Sequence, residues 1–328
     1  MKISNPFLWI AISSAIVLSA CGGGSGGGSA SSTPTASSSS TTTATAQANV
    51  GTLSSPQYAS GSYQLSAFQQ LNNMRQQCGF PVLADNSLLD KAAQNHTNYM
   101  IANNVYGHYE TQGNPDFTGV TPGDREAAVG YPMASAGEVF AYGLTTGTAA
   151  ITGLASIPYH TVVLFSDTAE EGMGFGTMQN GTDIFVTDFG NQSVSPTAPT
   201  ISSAPLTYPC SGLTGVERQN TATEDTPPYI NGAPAKNVPG SWGTPIAVEG
   251  NLSDAITLTS VSVTGPNGAA VPVSFYDSSD DPYNTLTPSD AFAIPNAPLA
   301  ATTTYSVVAS GTINGTPFTR SFSFTTGN

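Results

Sequence analysis

Apolar residues first recur at helical spacing between residues 60 and 104. In "SAFQQLNNMRQQCGF" they stand three positions apart, which predicts a helix that stops at Gly79. The stretch "LADNSLLDKAAQNHTNYMIANN" carries a stronger pattern, and either Asp85 or Asn86 can cap its start. His96 falls on the apolar face of this second helix. We therefore expect a buried, hydrogen-bonded histidine there, with a role in a functional site as the alternative.

The apolar period changes from helical to alternating further along the chain. After a loop rich in glycine and proline come "TAAITGLASIPYHTVVLF" and then "GMGFGTMQNGTDIFVTDFG". The second of these segments contains two alternating runs joined by Asn180-Gly181, which predicts a β-hairpin. Helices followed by antiparallel strands indicate an α+β domain. We place this domain at residues 61–192.

A second set of short alternating runs lies near the C-terminus. Two segments, "AITLTSVSVTGPNGAAVPVSFYD" and "TTTYSVVASGTINGTPFTRSFSFTT", are pairs of β-rich runs around turns that contain glycine. Such spacing predicts an all-β sandwich at residues 226–328, and its threonine-rich last strand resembles bacterial Ig-like domains. Residues 193–225 are rich in Pro, Ser and Thr without periodicity, so we expect a linker there.

The first sixty residues have a different composition. Lys2 precedes an apolar run from Phe7 to Leu18, which is too short to span a bilayer and is typical of a signal-peptide core. The run ends in "LSAC", which resembles a bacterial lipobox and predicts cleavage after residue 20 with lipidation of Cys21. An ordinary secretory signal is the alternative. Residues 21–60 are rich in Gly, Ser and Thr, which predicts a flexible tether.

Charge and cysteine content narrow the function classes. The net charge of −14 and the pI near 4.2 argue against nucleic acid or anionic lipid headgroups as partners, because both require basic patches. Once Cys21 is lipidated, Cys78 and Cys210 are the remaining pair in an exported protein. An oxidising compartment favours a disulfide between them, and two free buried thiols are the alternative.

Several fragments of the first domain carry a family resemblance. The order of "LNNMR", "AAQNHTNYM", "YGHYETQG", "GEVFAYG", "PYHTVVLF" and "IFVTDFG" resembles the CAP superfamily (SCP/PR-1-like) over roughly residues 62–192. The resemblance implies an α-β-α sandwich with a central antiparallel sheet and a cleft on one side. The whole chain is then a CAP domain followed by an Ig-like β-sandwich.

The resemblance also implies a cleft lined by two histidines and two glutamates. It places three of them at His108 in "YGHYE", Glu138 in "SAGEVF" and His160 in "PYHTVV". Where the second glutamate would lie, "AAITGLAS" contains no acid. The expected site is therefore a triad of His108, Glu138 and His160. Arg125, in "PGDREAAVGYP", is interpreted as an ion-pair partner or a loop anchor.

This triad could serve three purposes. Neutral His108 and His160 could ligate a divalent metal such as Zn²⁺. Glu138 would then be either a further ligand or a hydrogen-bond acceptor that orients a ligating histidine. Glu138 could instead be a catalytic base. Finally, the three side chains could form a buried network that only orders the cleft loops. Because no HExxH, G-x-S-x-G or P-loop motif accompanies them, catalysis has the weakest support.

The sequence is compatible with two main classes of function, and a third class is a background alternative. The favoured one is a non-enzymatic binding protein, lipid-anchored at the outer membrane or cell surface. Its cleft would hold a metal or a small-molecule, lipid or cell-surface ligand, with the Ig-like domain as spacer or adhesive. A metal-assisted secreted hydrolase that uses Glu138 is the rival, and a structural or adhesive envelope protein is the third. The CAP fold by itself does not choose among them.

Overall fold

The structure, a computed structural model, describes residues 50–193, 201, 205–224 and 226–328. The expected signal peptide, the lipidation site Cys21 and most of the expected tether lie outside these residues. The helices are α1 (Tyr63–Gln77), α2 (Ser87–Asn103), α3 (Pro122–Ala128), α4 (Gly147–Leu154) and α5 (Pro158–Phe165). The strands among them are β1 (Ala84–Asp85), β2 (Met133–Tyr142), β3 (Glu170–Thr177) and β4 (Asp183–Gln192).

Local side chains explain where the two long helices begin and end. The α1 helix begins after Ser62, whose hydroxyl accepts a hydrogen bond from the backbone of Leu65 at 3.1 Å. Gly79, which follows its end, has a φ of +80°, a conformation that glycine adopts without strain. Of the two cap candidates for α2, the structure uses Asn86, whose side chain accepts from the backbone of Leu88 at 2.9 Å.

The four strands form one sheet in the order β1-β3-β4-β2. The predicted hairpin is confirmed, since β3 and β4 pair antiparallel around a turn in which Gly181 has a φ of +84°. Helix α2 lies directly on β3. A Cβ at Gly172 would come within 2.0 Å of the backbone nitrogen of Asp90, so only glycine permits this approach.

Apolar side chains cover both faces of this sheet. On β2, Val139 and Ala141 belong to a core shared with α1, α4 and α5, whereas Phe140 belongs to a core shared with α2. The alternation follows from the period of two along a strand. Helices therefore lie on both faces of a mainly antiparallel sheet, which agrees with the expected α-β-α layers. Within the described part of the chain, no single helix has the length and apolar composition to cross a membrane, although α4 and α5 pass that test as a pair bent by 111°.

The remainder of the described chain is β-rich. Its strands are β5 (Leu206–Tyr208), β6 (Thr214–Val216), β7 (Tyr229–Ile230), β8 (Ala233–Pro234), β9 (Ile246–Glu249), β10 (Ile256–Thr264), β11 (Ala270–Val271), β12 (Val273–Asp277), β13 (Asp290–Pro295), β14 (Thr304–Ile313) and β15 (Thr316–Thr326). One sheet has the order β11-β10-β14-β15-β6 and another the order β12-β13-β9-β5, while β7 pairs with β8. Both larger sheets contribute apolar residues to one core, for example Val307 and Phe324 from the first and Val248 and Ala293 from the second.

The expected linker at residues 193–225 requires a correction. Strands β5 and β6 lie within it, and each joins an edge of one of the two larger sheets. These strands have three residues each, too few for an alternating pattern to emerge from the sequence. The predicted disulfide is confirmed, because Cys78 and Cys210 are joined with an S–S distance of 2.11 Å.

The α+β and β-rich regions pack against each other in one compact unit. Trp242, fully buried, lies in an apolar cluster with Tyr159 and Val162 of α5 and with Phe292 and Ile294 of β13. Its indole nitrogen donates to the carbonyl of Ser156 at 3.2 Å. A shared core of this kind holds α5, and with it His160, against the β-rich region.

Candidate functional site

Three elements bring the expected triad together. His108 lies in the loop between α2 and α3, Glu138 on β2, and His160 in the first turn of α5. Nδ1 of His108 lies 2.7 Å from Oε1 of Glu138. The imidazole rings of His108 and His160 have centroids 6.0 Å apart. The structure thus places all three side chains in one cluster, between helix α5 and the loop that precedes α3.

Glu138 is held in its ionised form. Burial alone would raise the pKa of this carboxyl, but the Arg125 guanidinium, the His96 ring and the hydrogen bond from His108 outweigh burial and hold the pKa well below its ordinary value. A carboxylate can only accept, so Nδ1 of His108 must donate to it. A metal ion could then bind this ring only through Nε2, which points away from the carboxylate.

Arg125 fixes both partners of that contact. Its side chain is fully buried, and it donates to the carbonyl oxygen of His108 at 3.0 Å and to Oε2 of Glu138. The interpretation of Arg125 as an ion-pair partner or loop anchor is confirmed, and it fills both roles. Oε1 and Oε2 of Glu138 thus each accept a hydrogen bond already, and the side chain is only 1% exposed to solvent.

His96 lies beneath the triad and is fully buried, as expected from its place on the apolar face of α2. Its Nδ1 lies 3.0 Å from Oε1 of Glu110, and its Nε2 lies 2.9 Å from the carbonyl of Gly107. Burial alone would raise the pKa of Glu110, but its hydrogen bonds, including the one with His96, have the larger effect and hold the pKa below its ordinary value. This carboxyl is therefore ionised. Both ring nitrogens of His96 thus lie against protein acceptors, and neither is open to a ligand.

Two further buried acids lie around Arg125. Asp188 of β4 stands opposite Glu138 of β2 in the sheet register, and Glu126 follows Arg125 on α3. Burial, together with the nearby Glu138 carboxylate, raises the pKa of Glu126 to about 9 and raises that of Asp188 well above its ordinary value. Both side chains are therefore neutral acids near pH 7, while Glu138 carries the charge that Arg125 balances.

His160 differs from the other two histidines because no acceptor among the described residues forms a hydrogen bond with its Nδ1. Its Nδ1 is buried and has no hydrogen-bond partner among the described residues, and its Nε2 lies 3.8 Å from Oε1 of Glu224. Burial and the neighbouring His108 lower the pKa of His160 to about 3. The ring is thus neutral at physiological pH, with a lone pair that no hydrogen bond from the described part of the chain uses.

Glu224 was missed by the sequence analysis. It lies in the segment that was interpreted as a linker, yet its side chain is only 3% exposed. The one signal in the sequence was an acidic pair, Glu224-Asp225, in a stretch otherwise rich in Thr and Pro. Nothing in its spacing from His160 indicated that the two side chains would meet.

The cluster offers two imidazoles but no complete set of metal ligands. Among the described residues, no group of three or more His, Cys, Asp or Glu side chains is arranged to hold a metal ion. The 6.0 Å between the His108 and His160 centroids nevertheless fits one ion between them, since metal–nitrogen bonds of ~2.0–2.1 Å would place two such rings about 5–6 Å apart. With a free lone pair on each ring, the residues present fit a weakly held divalent ion.

Comparison with known proteins concerns the first part of the chain. The sequence profile of the cysteine-rich secretory protein family, CAP, matches residues 68–189. No curated protein matches the chain. An outer surface protein from Borrelia burgdorferi is 19% identical, with 42% of this chain and 97% of that chain covered and a TM-score of 0.37.

A second solved structure has a similar degree of likeness. It is an extracellular protein containing a SCP domain from Bacillus anthracis, which is 24% identical. The match covers 39% of this chain and 40% of that chain, with a TM-score of 0.34. The profile match begins within α1, ends within β4 and includes His108, Glu138 and His160. Residues 68–189 of this chain are therefore a CAP domain.

Proposed function

We propose that this protein is a non-enzymatic binding protein of the cell envelope whose CAP cleft takes a divalent metal ion such as Zn²⁺. The observation that carries the proposal is the contact between His108 and Glu138. It leaves Nε2 of His108 pointing away from the carboxylate, while His160, which is neutral and whose Nδ1 has no hydrogen-bond partner among the described residues, lies across the cleft. A bound ion would take one nitrogen from each ring, with Glu138 orienting His108 from behind.

The same geometry disfavours a hydrolase that uses Glu138 as its base. A general base is most effective when its pKa lies near the working pH, whereas Arg125, His96 and His108 hold the pKa of Glu138 well below its ordinary value despite burial. Both of its oxygens also accept hydrogen bonds already. Glu138 is thus suited to hold a histidine in place and poorly suited to remove a proton from water.

A row of aromatic rings supports a small apolar molecule as the second candidate ligand. The rings of Tyr106 and Tyr142 contact each other at a tilt of 39° with centroids 4.4 Å apart, and both residues are more than 40% exposed. Phe140 lies 6.4 Å from Tyr142 and 4.9 Å from His108. The rings lead from the surface to the triad, and aromatic side chains of this kind provide large apolar contact area.

The location and the β-rich region complete the proposal. The apolar run and "LSAC" support export and lipid anchoring through Cys21, at the outer membrane or cell surface. We assign the two packed sheets near the C-terminus to an Ig-like domain that acts as a spacer or adhesive. Its close packing on α5 would hold the CAP cleft at a set orientation relative to that domain.

Calorimetric titration of Zn²⁺ into the chain without its signal peptide, carrying Cys21→Ser, tests the metal site. We expect one ion per chain, and we expect His108→Ala and His160→Ala each to weaken binding at least tenfold, because each removes one of two nitrogen ligands. Equal binding by wild type and both variants would contradict the proposal. So would the absence of binding, which would leave the apolar ligand as the remaining candidate.

A further inference from the structure

Part of the expected tether is bound to the CAP domain. Residues 50–58, which we call the clasp, lie along β1 at the edge of the central sheet. The backbone nitrogen of Leu53 donates to the carbonyl of Asp85 at 2.9 Å. Val50 exchanges two backbone hydrogen bonds with the side-chain amide of Gln192, at 2.8 and 2.9 Å. These contacts hold the clasp to two strands of the sheet, β1 and β4.

The hydroxyl of Tyr58, at the end of the clasp, meets three carboxyl groups. It lies 2.7 Å from Oδ1 of Asp90 on α2, 3.2 Å from Oδ1 of Asp85 on β1 and 3.2 Å from Oε1 of Glu171 on β3. The backbone nitrogen of Gln57 donates to the other oxygen of Asp85 at 2.8 Å. In the described part of the chain, no Lys, Arg or His side chain forms an ion pair with these three acids.

This cluster is favourable only while it holds protons of its own. A phenol has one hydrogen to donate, so Tyr58 cannot satisfy three carboxylates, and carboxylates gathered around one oxygen repel each other. Burial, chiefly, raises the pKa of Asp90 to about 7. Burial, together with the nearby Asp90 and Asp85, raises the pKa of Glu171 well above its ordinary value. At mildly acidic pH, Asp90 and Glu171 are therefore mainly protonated and can share hydrogen bonds.

Loss of these protons would weaken the contact with Tyr58. Movement of the clasp away from the cluster would admit water, which stabilises ionised carboxyl groups. The open state thus binds fewer protons than the closed state, so a rise in pH favours opening. For Asp90, the stabilisation of the closed state is complete below about pH 4, where this carboxyl ordinarily titrates, and is lost as the pH rises through about 7.

We propose that residues 50–58 are a pH-sensitive clasp, which holds the end of the tether on the CAP domain in acid and releases it as the pH rises. Release would free nine residues, which can span at most about 30 Å when extended. A protein anchored through Cys21 would then reach further from the membrane at alkaline pH. The clasp depends on neither the metal site nor the anchor, and only its effect on reach rests on the proposed lipidation.

Hydrogen exchange measured by mass spectrometry tests the clasp in the chain without its signal peptide, carrying Cys21→Ser. Protection factors are compared at pH 6 and pH 8, after correction for the intrinsic pH dependence of exchange. We expect the protection of peptides within 50–58 to fall about tenfold or more, because Asp90 titrates between these values and Glu171 adds to its effect. Peptides of β4 should remain protected at both pH values, which shows that the domain is folded.

Asp90→Asn combined with Glu171→Gln removes the titrating groups and keeps their shape and an accepting oxygen. In this double variant, the protection of the clasp should change less than about twofold between pH 6 and pH 8. Asp116→Asn, which alters an exposed acid of the same domain, is the matched control and should keep the wild-type response.

Two results would overturn the proposal. One is equal protection of the clasp in wild type at the two pH values, and the other is the same fall in wild type and in the double variant. Tyr58→Phe provides a second measurement, because it keeps the ring and removes the hydrogen that Tyr58 donates. It should lower the protection of the clasp at pH 6 by about threefold or more. Unchanged protection in this variant would show that the hydroxyl does not hold the clasp.

Discussion

Nδ1 of His108 lies 2.7 Å from Oε1 of Glu138, and this contact joins the loop after α2 to the middle of the central sheet. Arg125 completes the arrangement, since it binds both the Glu138 carboxylate and the His108 carbonyl. His108, a loop residue, is thereby tied to the sheet through both its side chain and its backbone. Side chains placed in this way can bind a ligand without a large entropic cost of ordering.

Glu138→Gln should lower the free energy of unfolding by about 3–5 kcal/mol, because it leaves the fully buried Arg125 without its anionic partner. Urea denaturation at neutral pH measures this loss. Asp116→Asn is a suitable control, since Asp116 is exposed and asparagine tolerates its φ of +58°. The control should change stability by less than about 0.5 kcal/mol. A Glu138→Gln protein as stable as this control would contradict the ion pair.

Substitutions of the three histidines should have different effects on stability and on zinc binding. His96→Ala should lower stability by about 3 kcal/mol or more, because it leaves a cavity and removes the buried hydrogen-bond partner of Glu110. It should leave the zinc affinity of the folded protein within a few-fold of wild type, unlike His108→Ala and His160→Ala. Thermal unfolding and zinc titration of the same three preparations give both quantities. Loss of zinc binding in folded His96→Ala would show that His96 belongs to the ligand set.

Stability should fall as the pH rises from about 5 to about 9. Glu126 has its pKa raised to about 9 by burial, chiefly, and by Glu138, whereas in the unfolded chain this carboxyl titrates near 4.5. Between these values the folded state keeps a proton that the unfolded state has released, so each rise in pH favours unfolding. Below about pH 4.5 both states hold the proton and this contribution is complete.

Glu126→Gln provides the test of that pH dependence. The variant should match wild type at pH 5 and exceed it in stability at pH 9 by more than about 1.4 kcal/mol, the equivalent of one pKa unit. Urea unfolding at the two pH values measures the difference. An identical loss of stability in both proteins between pH 5 and pH 9 would show that Glu126 does not cause it.

Removal of the disulfide should destabilise the protein without changing its fold. The bond between Cys78 and Cys210 closes a loop of 132 positions, for which the chain-entropy model allows up to roughly 4–5 kcal/mol. We expect Cys78→Ala/Cys210→Ala to lose about 2–4 kcal/mol by urea denaturation. Thiol labelling of unfolded, unreduced wild type should find neither cysteine free. Stoichiometric labelling of both would refute the bond.

Cys21→Ser should release the protein from membranes. The attached acyl chains would provide the membrane binding, at about 0.8 kcal/mol for each buried CH₂ group. Fractionation of cells that express wild type and Cys21→Ser measures the effect, with Cys78→Ser as a control that leaves the lipobox intact. A Cys21→Ser protein that remains in the membrane fraction would rule out lipidation as the anchor.

Features that depend on neighbours in the sequence could be predicted. The helix of Ser87–Asn103 and the hairpin of β3 and β4 follow from apolar periodicity and from a turn that needs glycine at Gly181. The disulfide was predicted from the expected export of the chain and lipidation of Cys21, which leave one pair of cysteines, and the structure contains it. The order of the quoted fragments was enough to indicate the CAP domain, and through that resemblance the three residues of the triad.

Apolar spacing and composition along the chain were enough for the local elements and the cysteine pair, and the resemblance to the CAP family indicated the triad. That Arg125 holds both His108 and Glu138, and that Glu224 lies 3.8 Å from His160, follows only from the folded structure. It also decided that β5 and β6 belong to the sheets and that Trp242 packs on α5. These contacts join residues far apart in sequence, and no local pattern encodes a meeting that arises only when separate elements pack together.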